Sequence, residues 1–311
     1  MREAQNRLYA CRFGIFQHFL FGGRQDLHGK EASDWWNRRC EDFDTERLAE
    51  ELSRMGAGYY VFTLMQGRKY MAAPSETYDR IAGSVPGELC ARRDLPLDLA
   101  ESLSRRGIDL YLYFTGDGPY IDAQIGEKFG FTEPRRNVSR DFCEKWASVL
   151  QEYAVRYGDR VRGWWIDGCY EWFGYTDSLL SLYADAVHRG NPRALVTMNN
   201  GCGEHLYKYF CGEGFTSGEY NDFTEIPASR LIDGSLPHIL APLGQIEEGK
   251  PWTGWCKGGL KRSREYMRDY IRRVNEAGGV VTVDIRVNED GSTDPAQIEA
   301  LSGMGAYLWG E

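Results

Sequence analysis

Short apolar and β-branched runs alternate along the chain with longer stretches in which apolar residues return every three or four positions. Unbroken or period-two apolar runs suit strands, and the longer spacing suits helices that lay one face on a sheet. Strands are predicted at 13–19, 58–63, 108–115, 161–166, 194–198 and 279–285, with short ones at 215–218 and 238–240. Helices are predicted at 44–55, 94–106, 139–157, 176–189, 261–277 and 294–309. Asp44 caps the first of these, Gly107 and Gly158 stop the next two, Asn191-Pro192 breaks the fourth, and Pro295 sits in the first turn of the last. Strands alternating with helices predict an α/β fold, a single (β/α)8 barrel over residues 1–311, least regular in units five to seven. The length suits one barrel of at least ~250 residues, and no Pro-, Gly- or Ser-rich linker divides the chain.

In such a barrel the chemistry sits past the C-terminal ends of the strands. The polar residues at those ends are Gln17-His18, Gln66, Asp117, Asp167, Asn199-Asn200, Glu219 and Asp284. Asp167 follows the apolar run Trp164-Trp165-Ile166, where a charge is costly unless something uses or satisfies it. It reads as a nucleophile at an anomeric carbon, or as a carboxylate that caps the next loop. Retention at that carbon needs two carboxyl groups about 5–5.5 Å apart, one of them protonated. Glu219 is the second candidate because it leaves a strand; Glu213, Glu225, Asp222 and Glu171 are its neighbours and rivals. Amides at Gln66 and Asn199 can both give and accept hydrogen bonds to sugar hydroxyls, or serve as turn residues. His18, Tyr113, Trp165, Glu171, Trp252 and Asp284 complete the expected substrate contacts.

Composition narrows the partners. The formal net charge of −9 repels phosphate backbones, so nucleic acid is not expected as a partner. Apolar runs such as 14–21 and 279–283 are too short to span a bilayer. The first residues lack a long apolar stretch and a small-residue cleavage site, so a cytoplasmic protein is expected; a trimmed secretory signal would leave the same sequence. Eight cysteines are scattered without a CxxC pair and read as free thiols, and neither they nor the five histidines fall at zinc-ligand spacing. No metal or cofactor is expected, and the oligomeric state is left open. Nine Trp and nineteen Tyr against fourteen Phe suit a pocket that stacks on sugar rings and bonds their hydroxyls.

Together the motifs resemble the α-L-fucosidase-like enzymes of glycoside hydrolase family 29 over nearly the whole chain. Phe13-Gly14-Ile15-Phe16-Gln17-His18 resembles that family's Gly-Ile-Phe-Ile-His-Trp-Gly, and Trp164-Trp165-Ile166-Asp167-Gly168 its Leu-Trp-Phe-Asp-Gly. The stretches 43–63, 93–113 and 278–291 are similar to its second, third and closing units. The resemblance implies Asp167 as nucleophile, His18 as a sugar contact and, through Thr216-Ser217-Gly218-Glu219, Glu219 as acid/base. Two departures stand out. The family's Lys-His-His-Asp-Gly-Phe appears as Met65-Gln66-Gly67-Arg68-Lys69-Tyr70, and its Pro-Trp-Glu as Pro251-Trp252-Thr253. The expected function is therefore a retaining exo-glycosidase acting on an α-L-fucoside or related glycoside. A non-catalytic carbohydrate-binding barrel is the alternative, and a metal-dependent barrel using Asp117, Asp167 and Glu219 the third reading.

Overall fold

Seven parallel strands form one sheet in the computed structural model, which describes residues 1–310 apart from 23, 25, 132 and 134. In chain order the elements are α1 (Arg2–Ala10), β1 (Phe13–Gln17), α2 (Gly29–Glu41), α3 (Thr45–Met55), β2 (Tyr59–Thr63), α4 (Glu76–Ala82), α5 (Leu95–Ser104) and β3 (Asp109–Thr115). They continue with α6 (Ala123–Phe129), α7 (Arg140–Tyr157), β4 (Val161–Asp167), α8 (Asp177–Gly190), β5 (Leu195–Met198) and β6 (His238–Pro242). The last are α9 (Arg264–Glu276), β7 (Val280–Asp284), α10 (Pro295–Leu301) and α11 (Met304–Trp309). The sheet order β5-β4-β3-β2-β1-β7-β6 is that of a barrel read around its wall, with a gap between β5 and β6.

The expected sixth strand falls in that gap but is not regular. Phe215 and Glu219 make isolated parallel bridges to Leu236 and Leu240, and the Gly214 N–H reaches Val196 O on β5 at 3.0 Å. The ladder breaks for two local reasons. The Thr216 hydroxyl accepts from the His238 N–H and donates to the His238 carbonyl, each at 2.9 Å, displacing backbone pairing. Gly218 then turns the chain at φ +57°, where a Cβ would lie 1.8 Å from the His238 oxygen. The wall is thus closed by a segment that bends Glu219 inward rather than by an eighth ladder.

Period-two alternation sorts the strand residues onto two faces. Outward residues such as Ile15, Tyr60, Phe62, Leu112 and Ile166 join the main core under the helices. Inward residues Phe16, Tyr59, Val61, Tyr111, Tyr113, Trp165, Leu195 and Leu240 fill the barrel as a second cluster. Aromatic rings of this size bury ~150–250 Å² each, and such bulk fits only where neighbours recede. Gly14 and Gly163 supply that room: a Cβ there would lie 2.5 Å from the Tyr59 ring and 2.4 Å from the Tyr111 ring. Helix starts follow their side-chain acceptors, with Asp44, Asp94, Ser139, Ser263 and Asp294 each taking backbone N–H groups. The expected closing helix is two, divided at Gly303 with φ +69°. α1 was not anticipated; it covers the floor of the barrel, where the Gln5 amide donates to the carbonyls of Gly214 and Gly234 at 2.8 and 2.7 Å.

Candidate active site

At the C-terminal ends of the strands lies a cavity of about 240 Å³, lined by Phe16, His18, Gln66, Tyr113, Trp165, Asp167, Tyr170, Glu219, Leu240, Trp255 and Cys256. Strand register builds its wall. Tyr113 on β3 pairs with Trp165 on β4, the two rings stack at 5.4 Å, and Phe16 stacks on the other side of Tyr113 at the same spacing. Asp167 is two residues beyond Trp165, so alternation puts it on the same inner face one step nearer the mouth. Its carboxylate accepts from the Tyr113 hydroxyl at 2.5 Å, the Asn199 amide at 2.7 Å and the Gln66 amide at 3.4 Å.

Asn199, just past β5, also donates to Glu219 at 2.5 Å. One amide nitrogen therefore touches both carboxylates. Those two oxygens lie no further apart than the two hydrogen bonds laid end to end, within the ~5–5.5 Å carboxyl separation of retaining glycosidases. Burial first, and then the charge of Asp167, push the Glu219 carboxyl up to about 7, while Asn199, Cys202 and His18 pull it the other way. On the opposite wall Asp284, buried at the end of β7, holds His18 Nδ1 at 2.8 Å. Burial works against a charge on His18, but Cys256 and Asp284 outweigh it and hold the imidazole well above its ordinary value. Nε2 is left as the nitrogen not committed to Asp284.

Behind Asp167 a third carboxyl, Asp117, packs against Gly168, whose Cβ would lie 2.4 Å from it. Burial pushes Asp117 up to about 8, with Asp167 adding to the rise and the Thr115 hydroxyl and Arg135 guanidinium opposing it. Asp117 does not line the cavity, and among the described residues no group of three His, Cys, Asp or Glu is arranged to hold a metal ion.

Of the residues expected from sequence, His18, Gln66, Tyr113, Trp165, Asp167 and Glu219 line the cavity, and Asn199 and Asp284 contact residues that do. Trp252 and Glu171 lie elsewhere: Trp252 is 58% exposed, and Glu171 is exposed in the turn after β4. The carboxylate rivals also face away. Glu213 is buried behind β5, accepting from the Met198 and Tyr209 N–H groups at 2.9 and 3.0 Å. Asp222 is paired with Arg262, and Glu225 is nearest to His205. Tyr170, Trp255, Cys256 and the inward ring of Phe16 were not anticipated. Their one signal was aromatic density in the loops after strands four and six.

The alpha-L-fucosidase family model matches residues 21–310. The chain belongs to the alpha-L-fucosidase family. Solved structures agree in fold. An endo-fucoidan hydrolase of glycoside hydrolase family 107 superposes with a TM-score of 0.74 at 15% identity, covering 98% of this chain and 54% of that one. The family 29 alpha-L-fucosidase from Bacteroides thetaiotaomicron gives 0.65 at 16% identity, over 98% of this chain and 73% of its own. Alpha-L-fucosidase AlfC from Lactobacillus casei, in complex with alpha-L-fucose product, gives 0.66 at 17% identity over 99% and 98%. The chain thus spans about half the length of the fucoidan hydrolase and nearly all of AlfC. No curated protein is a significant sequence match. No described helix is long and apolar enough to cross a membrane.

Proposed function

We propose that this protein is a retaining exo-glycosidase acting on an α-L-fucoside or a closely related glycoside, with Asp167 as nucleophile and Glu219 as acid/base. The observation that carries this reading is the Asn199 amide shared between the two carboxylates inside one cavity. Donors converge on Asp167 from three strand ends, which is what a carboxylate aimed at an anomeric carbon needs. Glu219, pushed up to about 7, keeps a proton near neutrality that an ordinary carboxyl would have lost.

In the first step an Asp167 oxygen attacks the anomeric carbon, the glycosidic C–O bond breaks, and the Glu219 proton goes to the leaving oxygen. In the second, Glu219 takes a proton from water as the water oxygen attacks the same carbon and releases Asp167. The shared carboxylate geometry favours this over a purely binding barrel, which has no use for a second buried acid. A cavity of about 240 Å³, below the ~300–1,000 Å³ of drug-sized sites, suits one sugar ring at a chain end. Phe16, Trp165, Leu240 and Trp255 give it apolar surface for the ring, while His18, Gln66 and Glu219 offer polar groups to its hydroxyls.

The test is the stereochemistry of an aryl α-L-fucoside followed by NMR. The first product should be the α-anomer, Asp167→Ala should abolish turnover, and azide should restore Asp167→Gly with inversion. A β-anomer formed first, or undiminished turnover by Asp167→Ala, overturns the proposal.

A further inference from the structure

One nucleophile on the cavity wall takes no part in that double displacement. Cys256 lines the cavity and is exposed. Its backbone has φ +59°, and among described non-glycine residues only Arg12, Arg135 and Asp233 also have a positive φ. Such a conformation persists where surrounding contacts over-determine it. Here the contacts come from Asp284. Its Oδ1 meets His18 Nδ1 at 2.8 Å, and its Oδ2 accepts the Cys256 backbone N–H at 3.4 Å. One buried carboxylate therefore holds both the imidazole and the backbone of the residue that carries the thiol, and His18 and Cys256 line the same cavity. A thiol that reaches solvent in the same cavity as an imidazole held by a buried carboxylate has the surroundings of a reactive cysteine.

Cys202, four residues past β5, is the opposite case. It stands beside Glu219, and burial together with that carboxylate pushes its thiol up to about 12. Cys211 is exposed but does not line the cavity. The three thiols thus form an internal comparison in one molecule.

We propose that Cys256, aimed by His18 and Asp284, is a reactive thiol modified by small electrophiles and hydroperoxides, and that its modification blocks the sugar cavity. The blocking half rests on the glycosidase reading; the reactivity half does not. With a hydroperoxide, Sγ attacks the terminal oxygen, the S–O bond forms as O–O breaks, and the thiol proton leaves with the departing oxygen as water or alcohol. Sulfur loses two electrons and the peroxide gains them. With iodoacetamide, the S–C bond forms as C–I breaks, iodide leaves, and the proton goes to solvent.

The full chain treated with limiting iodoacetamide at neutral pH, and read by peptide mass spectrometry, tests this. Cys256 should carry the adduct about tenfold faster than Cys202 and several-fold faster than Cys211. His18→Gln and Asp284→Asn should each slow Cys256 by about tenfold while leaving Cys211 unchanged, and buried Cys143 and Cys169, still unlabelled, check that the variants fold. Free L-fucose should protect Cys256 alone, and hydrogen peroxide should give the same site preference. Cys256 labelling no faster than Cys211, or unaffected by both variants, overturns the proposal. Aryl-fucoside turnover that survives complete Cys256 labelling overturns the blocking role. A chain that labels quickly at Cys256 yet hydrolyses nothing supports the thiol and sinks the glycosidase, so the two readings fail separately.

Discussion

At Glu219 burial and the charge of Asp167 push one way, and the Asn199 amide, the Cys202 thiol and His18 push the other. An acid that must arrive protonated works below its pKa, so kcat/KM should fall as pH rises through about 7. Asn199→Ala removes a donor that favours the charged form, which raises the Glu219 pKa further. The alkaline limb should then move to higher pH by on the order of one unit, since a hydrogen bond to a charged group is worth ~1.5–3 kcal/mol and one unit ~1.4. A pH–rate profile on a fucoside with a poor leaving group measures it; a limb that stays put or moves down refutes the coupling. The placement of Asp167, Tyr113 and Trp165 was legible in the sequence because alternation along an apolar strand fixes which side chains share a face. Trp252 and Trp255 show where that ends. They are three residues apart in a loop with a single 3-10 turn, Pro251–Gly254, and no period says which ring turns inward. Here Trp255 does, with its indole N–H held by Asn221 at 3.1 Å.

Among elements, the regular strands and the longer capped helices were readable and the closure of the barrel was not. The stretch 215–218 has the apolar and β-branched content of a strand. Whether it pairs depends on Thr216, whose hydroxyl intercepts the neighbouring backbone, and on one left-handed glycine. Neither effect has a periodic signature. α4 and α6, at seven residues each, are too short for a 3.6-residue period to show. Gly218 makes the closure testable. Gly218→Ala meets both a disfavoured φ, worth ~1–3 kcal/mol, and a carbonyl oxygen 1.8 Å away. Gly234→Ala has the conformational cost alone, because its φ is +86° but nothing lies within 4 Å of a Cβ. Urea unfolding should show Gly218→Ala losing clearly more stability than Gly234→Ala, and turnover falling with it because Glu219 is the next residue. Equal losses in the two variants would mean that the segment yields freely and does not hold Glu219 in place.

Over the whole molecule, the buried acids make stability depend on pH in one direction. Burial raises Asp117 to about 8 and Glu213 and Glu219 to about 7, with Asp167 adding at Asp117 and Glu219. Unfolded carboxyls titrate near ~4, so above that the native state keeps protons which the unfolded chain has lost. Their contribution is full below ~4 and is lost as pH rises through 7 and then 8. His18, also raised, contributes fully below its unfolded ~6.5 and loses its share at higher pH. Groups held below their ordinary pKa oppose this trend, among them Glu46, Glu152, His238 and Asp222. Burial lowers His238 to about 4, so its share is present above ~6.5 and lost as pH falls from there through about 4. At Asp222 burial is outweighed by Arg262, and its lowered pKa gives a contribution that disappears under acid. Stability should therefore peak on the acid side of neutrality and decline toward alkaline pH, each extra native proton steepening the decline by ~1.4 kcal/mol per pH unit. Glu213 isolates one of those protons, since it is buried behind β5 and does not line the cavity. Glu213→Gln should flatten the decline between about pH 5 and 7 by close to one proton's slope. Urea midpoints across that range measure both effects. A midpoint that rises with pH in the parent protein, or an unchanged slope in Glu213→Gln, would show that these carboxyls enter the fold already ionised, and the Glu219 proton on which the proposed chemistry depends would go with them.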